Sequence, residues 1–345
     1  MTSAGRARPG RAAADPGQAR GTRPAPWDYA APWNARGYVT DLDGPVHWIE
    51  FSPDPGRPIP RPGEGEPPGQ GPRAPIVFVH GLGGSHLNWC LIGRELAEGR
   101  RAVALDLHGF GLTPGLRSNS SVQANARLVD RFVKEVIGPP VVLVGNSMGG
   151  LISILETAAH NDVISGLVLI DPALPAPLQK PDWRVTGLLL YALPGLGELA
   201  VAKLLASVSP EAAVQQLLEL CFADPSRADP VMTKAEVALA ARRHPATPAQ
   251  ASARARIFLA AARSMLQVTA RRHRYAAMMA SIDVPVLLLG GDADRLVPVA
   301  AMRHAAARNP RWESVIFAGV GHAPQLEIPG DVAGAVLDWL DRHAT

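Results

Sequence analysis

The sequence predicts an α/β protein with a mostly parallel central sheet, helices on both faces and an inserted helical segment. Three observations support this prediction. Short apolar strand patterns alternate with helical patterns between residues 75–170 and again after residue 282. The stretch between them, residues 173–281, has helical patterning throughout. Glycine-rich or polar motifs follow the strands directly, and parallel sheets form their sites at the carboxyl ends of strands.

Composition is that of a folded protein with a sizeable core. The chain has 345 residues, of which 47% are hydrophobic and 19% charged. Its net charge of +3 is concentrated in residues 1–25, and the rest is close to neutral, so we expect no nucleic-acid partner. Two cysteines do not make a disulfide framework, and no apolar signal segment is evident at the start. We therefore expect a cytoplasmic protein.

The amino-terminal part divides into an arm and a hairpin. Residues 1–36 are rich in Pro, Gly, Ala and Arg without periodicity, which predicts a disordered basic arm. Strands are predicted over 37–42 and 46–51, joined by the turn signal Asp43-Gly44. The predicted core comprises residues 37–172 and 282–345, and the predicted cap or lid comprises 173–281.

The first buried strand, residues 75–79, ends in the glycine-rich turn His-Gly-Leu-Gly-Gly-Ser at 80–85. Small residues allow the main chain of such a turn to approach a reacting carbonyl. We therefore expect Gly81 to lie beside the substrate and the N–H of Leu82 to bind an oxyanion.

A helix is predicted over 87–98, a strand over 101–107 and a second helix over 122–137. The loop after the strand carries Asp106, which is expected to have a structural role. It also carries His108, a candidate substrate contact for which a structural role is the stronger expectation.

The pattern Gly-Asn-Ser-Met-Gly at 145–149 lies between a buried strand, 141–144, and a helical run, 151–160. Strand, sharp turn and helix are the context of a nucleophile elbow. The turn leaves no space for side chains at its two glycines, and it projects the hydroxyl of Ser147 from the end of the sheet. The N–H of Met148 is expected to point into the same space.

Residues 173–281 interrupt the strand–helix alternation after a strand at 166–170. The predicted helices cover 188–205, 211–222, 233–242 and 247–280, the last in one or two pieces. The apolar run 188–193 is too short for a membrane span, because Pro, Gly and charged residues follow before about 20 apolar residues accumulate. We expect no stable membrane insertion, and we expect this run to face the core, line an acyl pocket or rest on lipid.

The alternation resumes with a strand at 284–289, which ends in two candidate acids. Asp292 and Asp294 precede a predicted helix over 299–307. The pattern Asp-x-x-Val-Pro places the second carboxylate just before that helix and favours Asp294, with Asp292 as a turn-forming residue.

The last strand, 314–317, is followed by a loop that contains His322 and by an amphipathic helix over 331–343. A serine hydroxyl is a poor nucleophile at pH 7, so it needs a base, and the base needs an acid that holds its tautomer. Ser147, Asp294 and His322 all follow strands and can supply these three roles.

Together these motifs resemble the α/β-hydrolase superfamily. The resemblance rests on His-Gly-Leu-Gly-Gly, Asp-Leu-His-Gly-Phe-Gly, Gly-Asn-Ser-Met-Gly-Gly, Gly-Asp-Ala-Asp-Arg-Leu-Val-Pro and Gly-His-Ala-Pro-Gln-Leu-Glu. It implies the α/β-hydrolase fold, with Ser147 as nucleophile, Asp294 as acid, His322 as base, and Leu82 and Met148 as oxyanion donors. It implies no metal and no cofactor, a small-molecule ester as substrate, and no particular oligomeric state.

Three functions remain open on this resemblance. The first is hydrolysis of carboxylic esters of moderately apolar substrates through an acyl-enzyme. The second is carbon–carbon bond hydrolysis of meta-cleavage products, whose elbow is similar, although a tryptophan usually follows the histidine where Ala323 stands. The third is a ligand-binding or receptor protein on the same scaffold. Dehalogenases and epoxide hydrolases carry an aspartate in place of Ser147 and are weaker alternatives.

Overall fold

The computed structural model describes residues 21–53, 73–175 and 195–343. Their strands are β1 (Arg23–Pro24), β2 (Ala35–Asp41), β3 (Pro45–Phe51), β4 (Ile76–Val79), β5 (Ala102–Leu105), β6 (Val141–Asn146), β7 (Ile164–Ile170), β8 (Val286–Gly291) and β9 (Glu313–Phe317). They form one sheet in the order β1-β2-β3-β5-β4-β6-β7-β8-β9. Pairing is antiparallel from β1 to β5 and parallel from β5 to β9, which confirms the predicted mostly parallel sheet.

Ordered structure begins earlier in the chain than residue 37. Arg23 and Pro24 pair with Val39 and Tyr38 of β2 as an edge strand, so the prediction of a disordered arm is wrong for residues 21–36. Residues 1–20 lie outside the described residues. Proline has no main-chain N–H to donate. It is tolerated in β1 because this strand lies at the edge of the sheet and has no strand on its outer side.

The hairpin turn between β2 and β3 follows the sequence signal. Asp41 pairs with Pro45, so the connection has three residues, 42–44, and two of them, Asp43 and Gly44, have positive φ, 60° and 133°. The N–H of Gly44 donates to Oδ1 of Asp41 over 2.8 Å, which closes the turn.

Eleven α-helices lie in the described residues. They are α1 (Cys90–Leu96), α2 (Val122–Phe132), α3 (Met148–Ala159), α4 (Leu196–Ser207), α5 (Pro210–Cys221), α6 (Pro230–Arg243), α7 (Pro248–Ala270), α8 (Arg272–Ala280), α9 (Val299–Arg308), α10 (Pro324–Glu327) and α11 (Pro329–His343). The predicted helix 247–280 is two helices, α7 and α8. The predicted helix 188–205 is described only from Leu196 onward, and its apolar run 188–193 lies outside the described residues.

Helices cover both faces of the sheet, and alternate strand residues contact them. In β4, Val77 and Val79 join the cluster that contains α2, α3 and α9, whereas Ile76 and Phe78 join the cluster that contains α1 and α11. All four β4 residues are fully buried. Burial on both faces explains why the strand patterns are continuously apolar rather than alternating.

The five helices α4–α8 are called the cap helices here. They contact loops at the carboxyl ends of the parallel strands: a Cβ on Gly83 would lie 3.7 Å from the ring of Phe258, and one on Gly109 would lie 2.3 Å from Ile257. Among the described residues, no helix is long and apolar enough to cross a bilayer.

Candidate active site

Ser147 occupies a strained position between β6 and α3. Its backbone angles are φ 54° and ψ −117°, a region that costs a non-glycine residue about 1–3 kcal/mol. Two bonds hold this conformation, because the Ser147 carbonyl accepts from the N–H of Leu151 over 3.1 Å and from that of Ala173 over 2.9 Å. Ser147 is partly exposed, whereas Asn146 before it and Met148 after it are buried.

The two elbow glycines lie where the chain crosses itself most closely. A Cβ on Gly145 would lie 2.6 Å from the carbonyl oxygen of Gly149. A Cβ on Gly149 would lie 1.9 Å from the carbonyl oxygen of Val79 in the neighbouring strand. Both distances are shorter than real Cβ contacts, so the predicted steric reason for the glycines is confirmed.

His322 and Asp294 form a buried pair. The imidazole Nδ1 lies 2.7 Å from Oδ2 of Asp294, and the two side chains are 6% and 0% exposed. The other oxygen of Asp294 accepts from the N–H groups of Leu296 and Val297 over 2.7 and 3.0 Å. Since an ionised carboxylate only accepts, Nδ1–H donates and Nε2 is left as the basic nitrogen.

Asp292, the competing acid, lies elsewhere. Its Oδ1 accepts from the N–H of Gly319 over 2.7 Å at the surface, where it supports a turn. The geometry therefore pairs His322, the predicted base, with Asp294.

The elbow and the base are neighbours across the sheet. Asn146, directly before Ser147, donates its Nδ2–H to the carbonyl of His322 over 3.2 Å and to that of Ile170 over 3.0 Å. This amide connects the end of β6, the end of β7 and the loop of the base. The three predicted groups are thus at one end of the sheet.

The glycine-rich turn after β4 lies against the elbow. A Cβ on Gly81 would lie 3.2 Å from the Cβ of Ser147, so Gly81 borders the predicted nucleophile, and Leu82 follows it in the chain. Met148 is the first residue of α3, and its N–H therefore has no helix carbonyl to bond. These positions suit two main-chain donors beside a reacting carbonyl, and their role in binding an oxyanion remains a prediction.

His80 fixes the shape of this turn, a role the sequence did not reveal. Its Nε2 accepts from the N–H of Leu107 over 3.1 Å, so its Nδ1–H donates to the carbonyl of Gly81 over 2.8 Å. Burial lowers the pKa of His80 to about 4, which keeps the ring neutral at pH 7. A neutral ring of this tautomer joins the glycine-rich turn to the loop after β5.

Asp171, at the end of β7, is a second buried acid. Its carboxyl oxygens accept from the N–H of Gly291 over 3.2 and 3.3 Å. Burial and the neighbouring Asp294 carboxylate raise the pKa of Asp171 well above its usual range. The sequence showed Asp171 at a strand end but did not indicate that it would contact the acid of the pair.

Asp106 has the structural role that was expected. Its carboxylate accepts from Nδ1 of His47 over 2.7 Å, from Nδ1 of His86 over 2.9 Å and from the N–H of Leu112 over 2.8 Å. Burial alone would raise the pKa of Asp106, but the two histidines hold it well below its usual range.

His47, His86 and Asp106 have candidate ligand atoms within 4.8 Å of one another, and so do Asp130, Glu156 and His160. In the first set the imidazole–carboxylate distances are those of hydrogen bonds. We therefore assign that set a structural role, and the metal prediction stays untested.

His108, the candidate substrate contact, lies half-buried in the loop after β5. Its main-chain N–H donates to Oδ1 of Asn125 over 2.9 Å, and burial lowers the pKa of its ring. The next residue, Gly109, accepts from Nη2 of Arg243 on α6 over 2.8 Å. His108 is thus close to a cap helix, and its contact with substrate remains a prediction.

Residues 74–329 match the family model described as the alpha/beta hydrolase fold. An acetoin-cleaving-system acetyltransferase component from Pseudomonas putida is 28% identical over 273 residues, which cover 78% of this chain but 64% of that protein. The chain thus spans less than two thirds of that relative. The 2-hydroxy-6-oxo-6-(2'-aminophenyl)hexa-2,4-dienoic acid hydrolase of Metapseudomonas resinovorans is 24% identical, over 78% of this chain and 85% of that protein.

A crystal structure of a membrane phospholipase A superposes with a TM-score of 0.67 and 25% identity, covering 92% of this chain and 89% of that one. Shorter matches, over 28% to 30% of this chain, are to proteins named as lipases and an esterase. The sheet topology, the strained serine and the family match agree, and the chain belongs to the alpha/beta hydrolase fold family.

Proposed function

We propose that this hydrolase-family protein is a serine hydrolase that cleaves carboxylic esters of moderately apolar substrates. The observation that carries the proposal is the buried His322–Asp294 pair, 2.7 Å apart, beside a serine held at positive φ. A neutral imidazole with its Nδ1–H engaged presents Nε2 as a base, which is what a serine nucleophile requires.

The proposed reaction has two halves. His322 takes the proton of Ser147 as the hydroxyl oxygen attacks the acyl carbon, and the N–H groups of Leu82 and Met148 stabilise the oxyanion. The tetrahedral intermediate collapses, His322 returns the proton to the departing alcohol, and an acyl-enzyme remains. Water, deprotonated by His322, then attacks the acyl carbon, and Ser147 leaves with the proton.

Apolar side chains from the cap support a preference for apolar esters. Phe258 of α7 reaches the oxyanion turn at Gly83, and Ile257 reaches the loop at Gly109. Both are partly buried and therefore still have surface to offer a ligand. Apolar lining with a few fixed polar groups is typical of small-molecule sites. The likeness to a phospholipase A, at 25% identity, agrees with an ester substrate.

The carbon–carbon bond hydrolase is the second candidate, and we do not favour it. One relative is named for that reaction, at 24% identity. Ala323 follows the base where that subfamily usually has tryptophan.

The test is hydrolysis of nitrophenyl esters of increasing acyl length by the wild type, Ser147→Ala and Ser207→Ala. Ser207 is an exposed serine of α4 and is the matched control. We expect a clear optimum of acyl length, loss of about 1,000-fold or more in kcat for Ser147→Ala, and no change for Ser207→Ala.

Equal turnover by Ser147→Ala would contradict the serine mechanism. Absence of turnover in the wild type would contradict the ester substrate and favour vinylogous diketones, the substrates of the second candidate. Turnover well above one product per protein excludes a pure ligand-binding function.

A further inference from the structure

We infer that Glu327 is a positioning residue that holds the loop of the base, residues 318–323, against the linker between α5 and α6, residues 222–229. This inference rests on the proposed function, since it concerns the position of His322. Glu327 is the last residue of the motif Gly-His-Ala-Pro-Gln-Leu-Glu, it lies in α10, and its side chain is 0% exposed.

The Glu327 carboxylate accepts four hydrogen bonds, shared between the two segments. Oε2 accepts from the N–H of Gly321 over 2.8 Å and from that of Ala223 over 3.1 Å. Oε1 accepts from the N–H of Asp224 over 3.1 Å and from Nη1 of Arg227 over 3.1 Å. One buried carboxylate thus binds main-chain N–H groups of both segments.

The contact between the two segments is direct as well. The N–H of His322 donates to the carbonyl of Cys221, at the end of α5, over 2.6 Å. A Cβ on Gly321 would lie 2.2 Å from that same carbonyl oxygen, so only glycine permits the approach. The main chain of the base is therefore bonded to a cap helix, not only to the sheet.

Two arginines add hydrogen bonds between the same parts of the chain. Arg227 also donates Nη1–H to the carbonyl of Gly319, in the loop of the base, over 3.1 Å. Arg295, directly after the acid of the pair, donates to the carbonyl of Glu219 in α5 over 2.5 Å. The end of α5 and the linker after it thus support both His322 and Asp294.

The consequence concerns the direction of the His322 ring. The ring is fixed at Nδ1 by Asp294, so a shift of the main chain at residues 321–322 changes where Nε2 points. A displacement of about 1 Å in a catalytic group can cost about 100-fold in rate. Substrate binding does not depend on Nε2 in the same way, so a lower kcat with an unchanged KM is the signature of this role.

A fluorophosphonate probe tests the inference without knowledge of the substrate. The Ser147 oxygen forms a bond to phosphorus, fluoride leaves, and His322 takes the serine proton, so the labelling rate reports how well the base is placed. We expect Glu327→Gln to lower the limiting rate of labelling by about 10- to 100-fold and to leave the half-saturating probe concentration unchanged.

The matched control is Glu198→Gln. Glu198 of α4 also accepts from one main-chain N–H, that of Gly195, and from one arginine, Arg263, each over 2.6 Å, but away from the base. The Glu198→Gln variant is expected to be labelled at the wild-type rate. A variant that only loses stability would show a smaller labelled fraction, but its folded molecules would still be labelled at the wild-type rate. The labelling rate therefore distinguishes a positioning role from a role in stability.

Labelling of Glu327→Gln at the wild-type rate would overturn this inference and leave the proposed function intact. Absence of Ser147-dependent labelling in the wild type would overturn both. If Glu327→Gln does not fold, Arg227→Gln takes its place, since Arg227 is 40% exposed and contacts the same loop. It is expected to label more slowly by about 3- to 10-fold, and a wild-type rate would overturn the inference.

Discussion

At the scale of single residues, two neighbouring carboxyl groups, Asp171 and Asp294, are expected to have different roles. Asp171 lies at the end of β7 with φ 40°, fully buried beside Asp294. Burial and the Asp294 charge both raise the pKa of Asp171 well above its usual range. We therefore expect Asp171 to carry the shared proton and to donate a hydrogen bond to Asp294, the residue that pairs with His322.

The variants Asp171→Asn and Asp294→Asn test this division of roles. Asparagine resembles a neutral carboxyl group in shape and can still donate, so Asp171→Asn is expected to keep kcat/KM for a nitrophenyl ester within about 3-fold. Asp294→Asn presents its amide to Nδ1 of His322 and favours the wrong tautomer, with an expected loss of about 10⁴-fold. Equal losses in the two variants would contradict this division of roles.

The residues of the site differ in how far sequence could predict them. The sequence predicts Ser147, Asp294 and His322 because each stands in a short motif at a strand end, and the structure places Asp294 beside His322, whereas their catalytic roles stay a prediction. The roles of His80 and Glu327 depend on which main-chain groups approach them from distant segments. No local pattern encodes such contacts, so the sequence could not show them.

At the scale of elements, the junction of α2 and α3 contains a buried acid with an altered charge. Glu156 of α3 has a side chain 3% exposed and lies 2.9 Å from Nδ1 of His160. Burial raises the pKa of Glu156 to about 7, with a further increase from Asp130 of α2 and an opposing effect of His160. The folded protein thus holds a proton that the unfolded chain releases near pH 4.3.

The sign of the resulting pH dependence follows from linkage. Between about pH 4.3 and 7 the folded state binds more protons than the unfolded state, so Glu156 lowers the free energy of unfolding as pH rises. The Glu156→Gln variant has no titrating group at this position, so its free energy of unfolding does not fall with pH for this reason. The difference in Tm between Glu156→Gln and the wild type is expected to rise by about 3 °C from pH 5 to pH 8 in thermal melts.

The control is Glu135→Gln, an exposed glutamate 2.8 Å from Arg131, whose bond to the arginine lowers its pKa. It should show no such increase. A difference between Glu156→Gln and the wild type that is constant with pH would contradict a protonated Glu156.

Elements were predicted well where one pattern governs them. The parallel strands are buried on both faces, so their apolar runs are distinct, and the helices follow them at the expected places. The edge strand Arg23–Pro24 was missed because it is short, contains proline and becomes a strand only by pairing with β2. Its strand character comes from the tertiary contact and not from its own composition.

At the scale of the whole molecule, the cap helices are joined to the core by a few buried polar bonds. Ser264 of α7 accepts from the N–H of Val122 over 2.9 Å. Tyr275 of α8 donates its hydroxyl to the carbonyl of Ala173 over 3.0 Å, and the N–H of Ala173 donates to Ser147. Helical patterning predicted these helices, but the bonds join residues far apart in the chain, and spacing could not locate them.

Tyr275→Phe measures how much one such bond contributes. The hydroxyl is fully buried, and its removal leaves the Ala173 carbonyl without that donor, which costs about 1–3 kcal/mol. We expect a lower Tm, by about 2–4 °C for each kcal/mol, in thermal melts. Tyr38→Phe is the control, because the Tyr38 hydroxyl pairs with the exposed Arg36 and its loss should cost less.

The same variant should leave the activity nearly unchanged. In Tyr275→Phe the N–H of Ala173 still binds the carbonyl of Ser147, so kcat should change by less than about 5-fold. A large loss of kcat at unchanged Tm would mean that α8 acts on the nucleophile directly, and the bond would then belong to the catalytic machinery rather than to the attachment of the cap.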